Sequence, residues 1–132
     1  MENHLLIIDD DRIFLHMHEQ LLVKNGLTKE PRKFLSCVEA MDYIIANNSN
    51  SSSFFVFLDI YMDDMDGWDF MDELYSLQLQ DKVAVVVVTS SINLHDSKKS
   101  AQYGNIISHV EKPFTDEHVR KLIAETELAA FL

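Results

Sequence analysis

The sequence has 132 residues, 47% of them hydrophobic and 25% charged, a balance that lets one ordinary globular core form. Its 22 acids against 11 lysines and arginines give a formal net charge of −11, which speaks against nucleic acid or an anionic membrane as partner. No apolar run reaches the ~18 residues of a membrane span, no signal-peptide pattern opens the chain, and the lone Cys37 leaves no internal disulfide and points to a reducing, cytoplasmic setting.

Short apolar runs alternate with longer segments of helical period. "HLLIID" (4–9) reads as a buried strand. Residues 11–25 follow as a helix whose inward stripe is expected to be Ile13, Phe14, Met17, Leu21 and Leu22, stopped by Gly26. "RKFLS" (32–36) is a weak second strand after Pro31, and 38–47 a second helix with Val38, Met41, Ile44 and Ile45. "NNSNSSS" (47–53) is a polar loop, too short to act as a linker between domains. "FFVFLD" (54–59) predicts a third strand, 66–79 contains a helix, and the β-branched run "VAVVVVT" (83–89) predicts a fourth strand. A polar helix is expected within 94–103, ending near Gly104. A fifth strand follows at "IISHVE" (106–111), then a last helix over 115–131 with Thr115 as N-cap and Val119, Leu122 and Ile123 inward.

Five β-α units with strands apolar on both faces imply an α/β fold, a doubly wound parallel sheet covered on both sides by helices. Such sheets bind ligands beyond the carboxyl ends of their strands, at the switch point in strand order. Those ends carry Asp9, Asp10 and Asp11 after strand one, Asp59 after strand three, Thr89, Ser90 and Ser91 after strand four, and Lys112-Pro113 after strand five. In a strand order 2-1-3-4-5, strands one and three are central neighbours and Asp9 and Asp10 face Asp59. Clustered carboxylates repel unless protonated or neutralised. Oxygen ligands without Cys or His favour a hard cation such as Mg²⁺. The Thr89 hydroxyl and the Lys112 ammonium complete a set that suits an oxyanion, and a carboxylate within it can act as a nucleophile toward phosphorus.

The segments "IIDDD", "LDIYMDDMDG", "VVVVTSS" and "EKPF", at consecutive strand ends and in this order, resemble the receiver domain of two-component response regulators over essentially the whole chain, 1–132. The resemblance implies a flavodoxin-like five-stranded sheet of order 2-1-3-4-5. It makes Asp59 the phosphoacceptor, Asp9 and Asp10 the acidic pair that holds Mg²⁺, and the Tyr61 backbone carbonyl a further ligand. Thr89 matches the switch hydroxyl, Lys112 the phosphate-binding lysine, and the Lys112-Pro113 bond is expected to be cis. The implied partners are a histidine kinase or phosphotransfer protein and a downstream protein, with a homodimer through the 94–131 face as one form of output. With one domain and no effector segment behind it, output is expected through protein contacts. The domain is expected to act as a stoichiometric phosphoacceptor rather than a turnover enzyme.

Three positions depart from the family pattern. Asp63 stands where Pro is common. His109 replaces the aromatic switch residue of strand five. The interval from Gly104 to Lys112 is one residue longer than is common in the family, which predicts a bulge in the loop before strand five.

Two other readings use the same residues. A phosphatase of the haloacid-dehalogenase type also uses an aspartyl nucleophile with Mg²⁺, but its second acid, two residues on, is here Tyr61. A binding domain that keeps the fold without phosphorylation has no use for the complete set of Asp9, Asp10, Asp59, Thr89 and Lys112. The remaining features have plainer expectations. Asp63, Asp64, Asp66, Asp69 and Asp72 read as a solvated face and helix-start charges, and Gly67 as a turn residue. His16 and His18, two apart on a helix, point to different sides and read as surface histidines. Met17, Met41, Met62, Met65 and Met71 read as core or loop packing, and Trp68 and Phe70 as a partner surface, with helix packing the preferred reading for Phe70.

Overall fold

In the computed structural model, residues 2–27, 30–63, 65–90 and 93–132 are described. Among them, strands β1 (Glu2–Ile8), β2 (Arg32–Phe34), β3 (Ser52–Leu58), β4 (Val83–Thr89) and β5 (Ile106–Glu111) alternate with helices α1 (Arg12–Lys24), α2 (Cys37–Ala46), α3 (Gly67–Ser76), α4 (Leu94–Ser100) and α5 (Asp116–Glu125). All five strands run parallel in the order β2-β1-β3-β4-β5. This is the flavodoxin-like arrangement that the strand pattern and the resemblance imply. No helix among the described residues is long and apolar enough to cross a membrane.

The central strands are apolar on both faces because both faces are covered. Leu6, Ile8, Val56, Leu58, Val85 and Val87 pack against α2 and α3, where Met41, Ile44, Phe70 and Met71 point inward. Leu5, Ile7, Phe55, Phe57, Val86 and Val88 pack against α1, α5 and the 3₁₀ turn Glu127–Phe131. Each such side chain, fully removed from water, contributes about 1.5–3 kcal/mol of transfer free energy. Register does the rest. Ile8 pairs with Leu58, Leu58 with Val87, and Thr89 with Glu111, so the residues just beyond each strand emerge together at one end of the sheet.

Caps mark the helix starts. The Asp11 carboxylate accepts from the Ile13 and Phe14 N–H groups, and Asp66 and Asp69 form a reciprocal capping box on α3. Thr115 caps α5 with a box closed by His118. Gly26 ends the α1 segment at φ 88°, a left-handed conformation that favours glycine. The extra residue before Lys112 takes the form of a β-bulge inside β5: Val85 pairs with Ile106 and Val86 with Ser108, leaving Ile107 unopposed.

Several expectations are corrected. α1 buries Leu15, His18 and Leu22, while Ile13 and Met17 are exposed. In α2 the buried set is Cys37, Ala40, Met41 and Ile44, with Val38 and Ile45 half in water. The last helix stops at Glu125, and the rest of the predicted span tightens into the 3₁₀ turn. Trp68 is buried and stacks on Tyr103, so it is not a free partner surface. Asp64 and Ser91 lie outside the described residues.

His18 is the largest correction. Its ring sits among Phe14, Phe57 and Phe114, centroids 5.6, 4.6 and 4.1 Å away, and neither ring nitrogen has a hydrogen-bond partner among the described residues. Burial, aided by the Lys112 charge, pushes its pKa from 6.5 to about 3. Between those values the unfolded chain binds a proton at His18 that the folded chain refuses, so stability is lost as pH falls through that window. His18→Leu should remove the effect. Relative to wild type, the variant should gain about 1.4 kcal/mol for each pH unit below 6.5, measured by urea unfolding at about pH 7.5 and about pH 5. A constant difference between the two proteins would contradict this.

Candidate functional site

Asp59 follows β3 directly, and its backbone N–H donates to the Ile8 carbonyl at 3.0 Å, which locks the tip of β3 to the tip of β1. Asp9 emerges beside it. Both carboxylates are buried, Asp9 at 1% and Asp59 at 7% exposure, while Asp10 reaches solvent. One oxygen from each of Asp9, Asp10 and Asp59 can be chosen so that all lie within 4.8 Å of one another. Such a cluster of hard oxygens fits a cation of the Mg²⁺ kind, which keeps several waters and takes few protein ligands.

Lys112 answers these charges from β5. Its Nζ donates to Asp9 Oδ2 at 2.8 Å and lies 3.5 Å from Asp59 Oδ2, with the Phe14 ring 4.0 Å beneath it. Burial works against the ammonium charge, but the hydrogen bond to Asp9 and the Asp59 carboxylate outweigh it and leave the lysine pKa above its ordinary value. Asp9 Oδ1 accepts from the Asp11 N–H at 2.9 Å, so both its oxygens are engaged. Asp59 is less satisfied. Its Oδ1 accepts from the Tyr61 N–H at 3.1 Å. Burial raises its pKa to about 6, opposed by that N–H and by Lys112 and assisted by Asp9 and Asp10. A carboxylate held in this way is still mostly ionised at neutral pH, and available to react.

Thr89 closes the group as the last residue of β4. It is fully buried, and its hydroxyl has no hydrogen-bond partner among the described residues. Its carbonyl accepts from the Lys112 N–H at 2.8 Å, which ties the β4 and β5 tips together just before the cis Lys112-Pro113 bond. The sequence-predicted residues Asp9, Asp10, Asp59, Thr89 and Lys112 thus share one end of the sheet. His109 stands apart, exposed on β5; the burial it has lowers its pKa, while the Asp96 carboxylate works the other way. Ser90 is exposed beyond the strand.

Sequence reading missed Asp96. It is buried in α4 at 4% exposure, and its Oδ2 accepts from the Tyr61 hydroxyl at 2.5 Å. Nothing in a seven-residue polar helix signals that one of its acids is inward; only the fold brings it to Tyr61. The other acids of the loop and α3 take local roles. Asp66 and Asp69 cap α3, and Asp72 accepts from the Tyr103 hydroxyl at 2.6 Å.

The loop after Asp59 is closed by Gly67, for a reason other than an unusual φ. A Cβ at Gly67 would lie 2.6 Å from the Ile60 Cα, and the Gly67 N–H donates to the Ile60 carbonyl at 3.0 Å. Only hydrogen fits between α3 and the acidic loop. Gly67→Ala should therefore cost about 1–3 kcal/mol in urea unfolding, because backbone rather than a pliant side chain must yield. A variant as stable as wild type would contradict this close approach.

The sequence matches the family described as the response regulator receiver domain over residues 5–124. Solved structures of similar fold include a response regulator receiver protein from Dyadobacter fermentans, 25% identical, with 92% of this chain and 94% of that one covered at a TM-score of 0.77. A two-component response regulator from Legionella pneumophila is 23% identical over 98% of this chain and 99% of that one, with a TM-score of 0.81. One from Cytophaga hutchinsonii is 22% identical over 94% and 96%, with a TM-score of 0.79. A search of curated proteins returns no significant match.

Proposed function

Because the chain belongs to the response regulator receiver family of two-component signalling, we propose that it is a phosphorylation-controlled receiver whose acceptor is Asp59. The observation that carries this is the pairing of a buried, incompletely satisfied Asp59 carboxylate with the Lys112 ammonium and the unpartnered Thr89 hydroxyl at the same strand ends. The donor is a histidine kinase or a phosphotransfer protein. An Asp59 oxygen attacks phosphorus, the bond from phosphorus to the donor atom breaks, and the donor leaves with that electron pair. Lys112 would hold a phosphoryl oxygen by charge, and Thr89 would donate its hydroxyl proton to another.

Asp9, Asp10, Asp59 and the Tyr61 carbonyl would hold Mg²⁺, which supplies charge neutralisation for the transferring oxygens. The chain then acts as a stoichiometric acceptor that takes part in its own phosphorylation and dephosphorylation, and the whole of 1–132 works as one receiver unit in the cytoplasm. Thr89 and His109 would form the switch. Thr89 moves toward the phosphoryl group, and His109, smaller than an aromatic switch residue, follows less completely. The surface that changes is the 94–131 face, read by a downstream protein or by a second copy of the chain.

With Mg²⁺ and acetyl phosphate, intact mass should show one phosphoryl group per chain, mapped to Asp59 and lost in Asp59→Ala. Full labelling of that variant would overturn the assignment, and sustained turnover of phosphate esters would place the chain among phosphatases instead. Metal binding is tested separately. At ten times its Kd, Mg²⁺ should stabilise the folded protein by about 1.4 kcal/mol, and Asp10→Asn should lose most of that gain. Equal indifference of both proteins to Mg²⁺ would remove the metal site.

A further inference from the structure

Helix α4 is anchored unlike its neighbours. It has seven residues, too few to persist alone, and its one large apolar side chain, Leu94, is 71% exposed. The two side chains it buries are polar, Asp96 and Ser100. Ser100 satisfies itself inside the helix, donating to the Asp96 carbonyl at 2.9 Å. Asp96 does not. Its Oδ2 accepts from the Tyr61 hydroxyl at 2.5 Å, the short distance of a bond to an ionised acceptor, and its buried Oδ1 has no partner among the described residues.

The far end of the segment is held separately. Tyr103 stacks on Trp68 and donates to Asp72, and Lys99 lies 5.8 Å over the Trp68 ring. The start of α4 is thus tied to the rest of the molecule chiefly through Tyr61. Tyr61 is also the residue whose N–H donates to Asp59 Oδ1. Two hydrogen bonds in series therefore run from the Asp59 carboxylate, through the Tyr61 backbone and ring, to α4.

We propose that Asp96 is a positioning residue: by holding the Tyr61 hydroxyl it fixes the 59–63 loop against α4, so that the loop and the start of α4 move as one unit. The inference rests on the acceptor reading of Asp59 for its functional meaning, and on geometry alone for the latch itself. Any change at Asp59 that displaces the Tyr61 backbone is carried to α4 without passing through Thr89. With the latch broken, the Tyr61 carbonyl loses its orientation and α4 its tether.

Tyr61→Phe removes only the hydroxyl, and Asp96→Asn removes the charge at nearly constant shape. In the metal-free protein, amide exchange of residues 61–62 and of 94–97 should quicken several-fold in each variant. The double variant should be no faster than Tyr61→Phe alone, because the bond that Asp96→Asn weakens is already gone there. A Mg²⁺ titration followed by fluorescence of Trp68 should give a Kd about tenfold weaker in Tyr61→Phe, the scale of a lost orienting partner behind a metal ligand. Asp96→Asn should weaken the Kd in the same direction and Asp96→Glu, which keeps the charged acceptor, should weaken it less, a ranking that a merely loosened helix would not produce.

Unchanged exchange at 94–97 in Tyr61→Phe, additive effects in the double variant, or an unaltered Mg²⁺ Kd would each overturn the latch. Should wild type bind no Mg²⁺ at all, the metal reading fails, and the exchange data still decide the latch.

Discussion

A parallel sheet that ends two adjacent buried strands in aspartates creates a concentration of like charge at the edge of its own core. The Lys112 ammonium, 2.8 Å from Asp9 and 3.5 Å from Asp59, is the countercharge that the described residues set against it. One cation against three acids leaves the site negative, and burial first, with the Asp9 and Asp10 charges adding to it, raises the pKa of Asp59 to about 6. A divalent cation is the natural complement to such a deficit. The fold tolerates the arrangement because the backbone shares the load: the Tyr61 N–H serves Asp59, the Asp11 N–H serves Asp9, and the Lys112 N–H ties β5 to β4 at the same level. Removal of the lysine would leave the buried Asp9 and Asp59 carboxylates facing one another without that countercharge.

Much of this was legible because parallel strands are buried on both sides and so announce themselves as apolar runs. "VAVVVVT" and "FFVFL" admit few other readings, and the residue after such a run must lie at the carboxyl edge of the sheet. That is why Asp9, Asp59, Thr89 and Lys112 could be brought together from sequence. Helix faces were read less well, and α1 shows why. Its apolar residues outnumber the places on one face, so periodicity offers two stripes. The true one requires burying His18, which no hydropathy pattern favours. The choice is made by Phe57 and Phe114, aromatic rings from elsewhere in the chain that accept a neutral imidazole as one of their own kind. Asp96 was illegible for a similar reason: its partner Tyr61 is 35 residues away, and the bond between them is a product of the fold.

Two of the buried polar atoms without partners among the described residues lie close to this site in the chain. Well-folded interiors satisfy nearly all their donors and acceptors, and exceptions call for an explanation. Here the Thr89 hydroxyl at the end of β4 and Asp96 Oδ1 in α4 are buried and have no hydrogen-bond partner among the described residues. α4 adds no apolar face to compensate, and β5 beyond it carries His109 in the open. By contrast, α2, α3 and α5 bury continuous apolar stripes and have nothing to gain from moving.

The sheet centre, β1 and β3 with their covering helices, thus presents the Asp59 carboxylate, while α4, the helix with the fewest buried apolar side chains among those described, is linked to it through Tyr61. Cores of close-packed side chains do not deform gradually; displacement is taken up where packing is poorest. Among the described helices that place is α4, which buries no large apolar side chain. The Tyr61–Asp96 bond links that helix to the loop after Asp59, and the Tyr61 N–H continues the link to the carboxylate itself. A displacement of that loop would be handed to the start of α4 through these bonds, while α2 and α5 stay fixed by their buried apolar stripes.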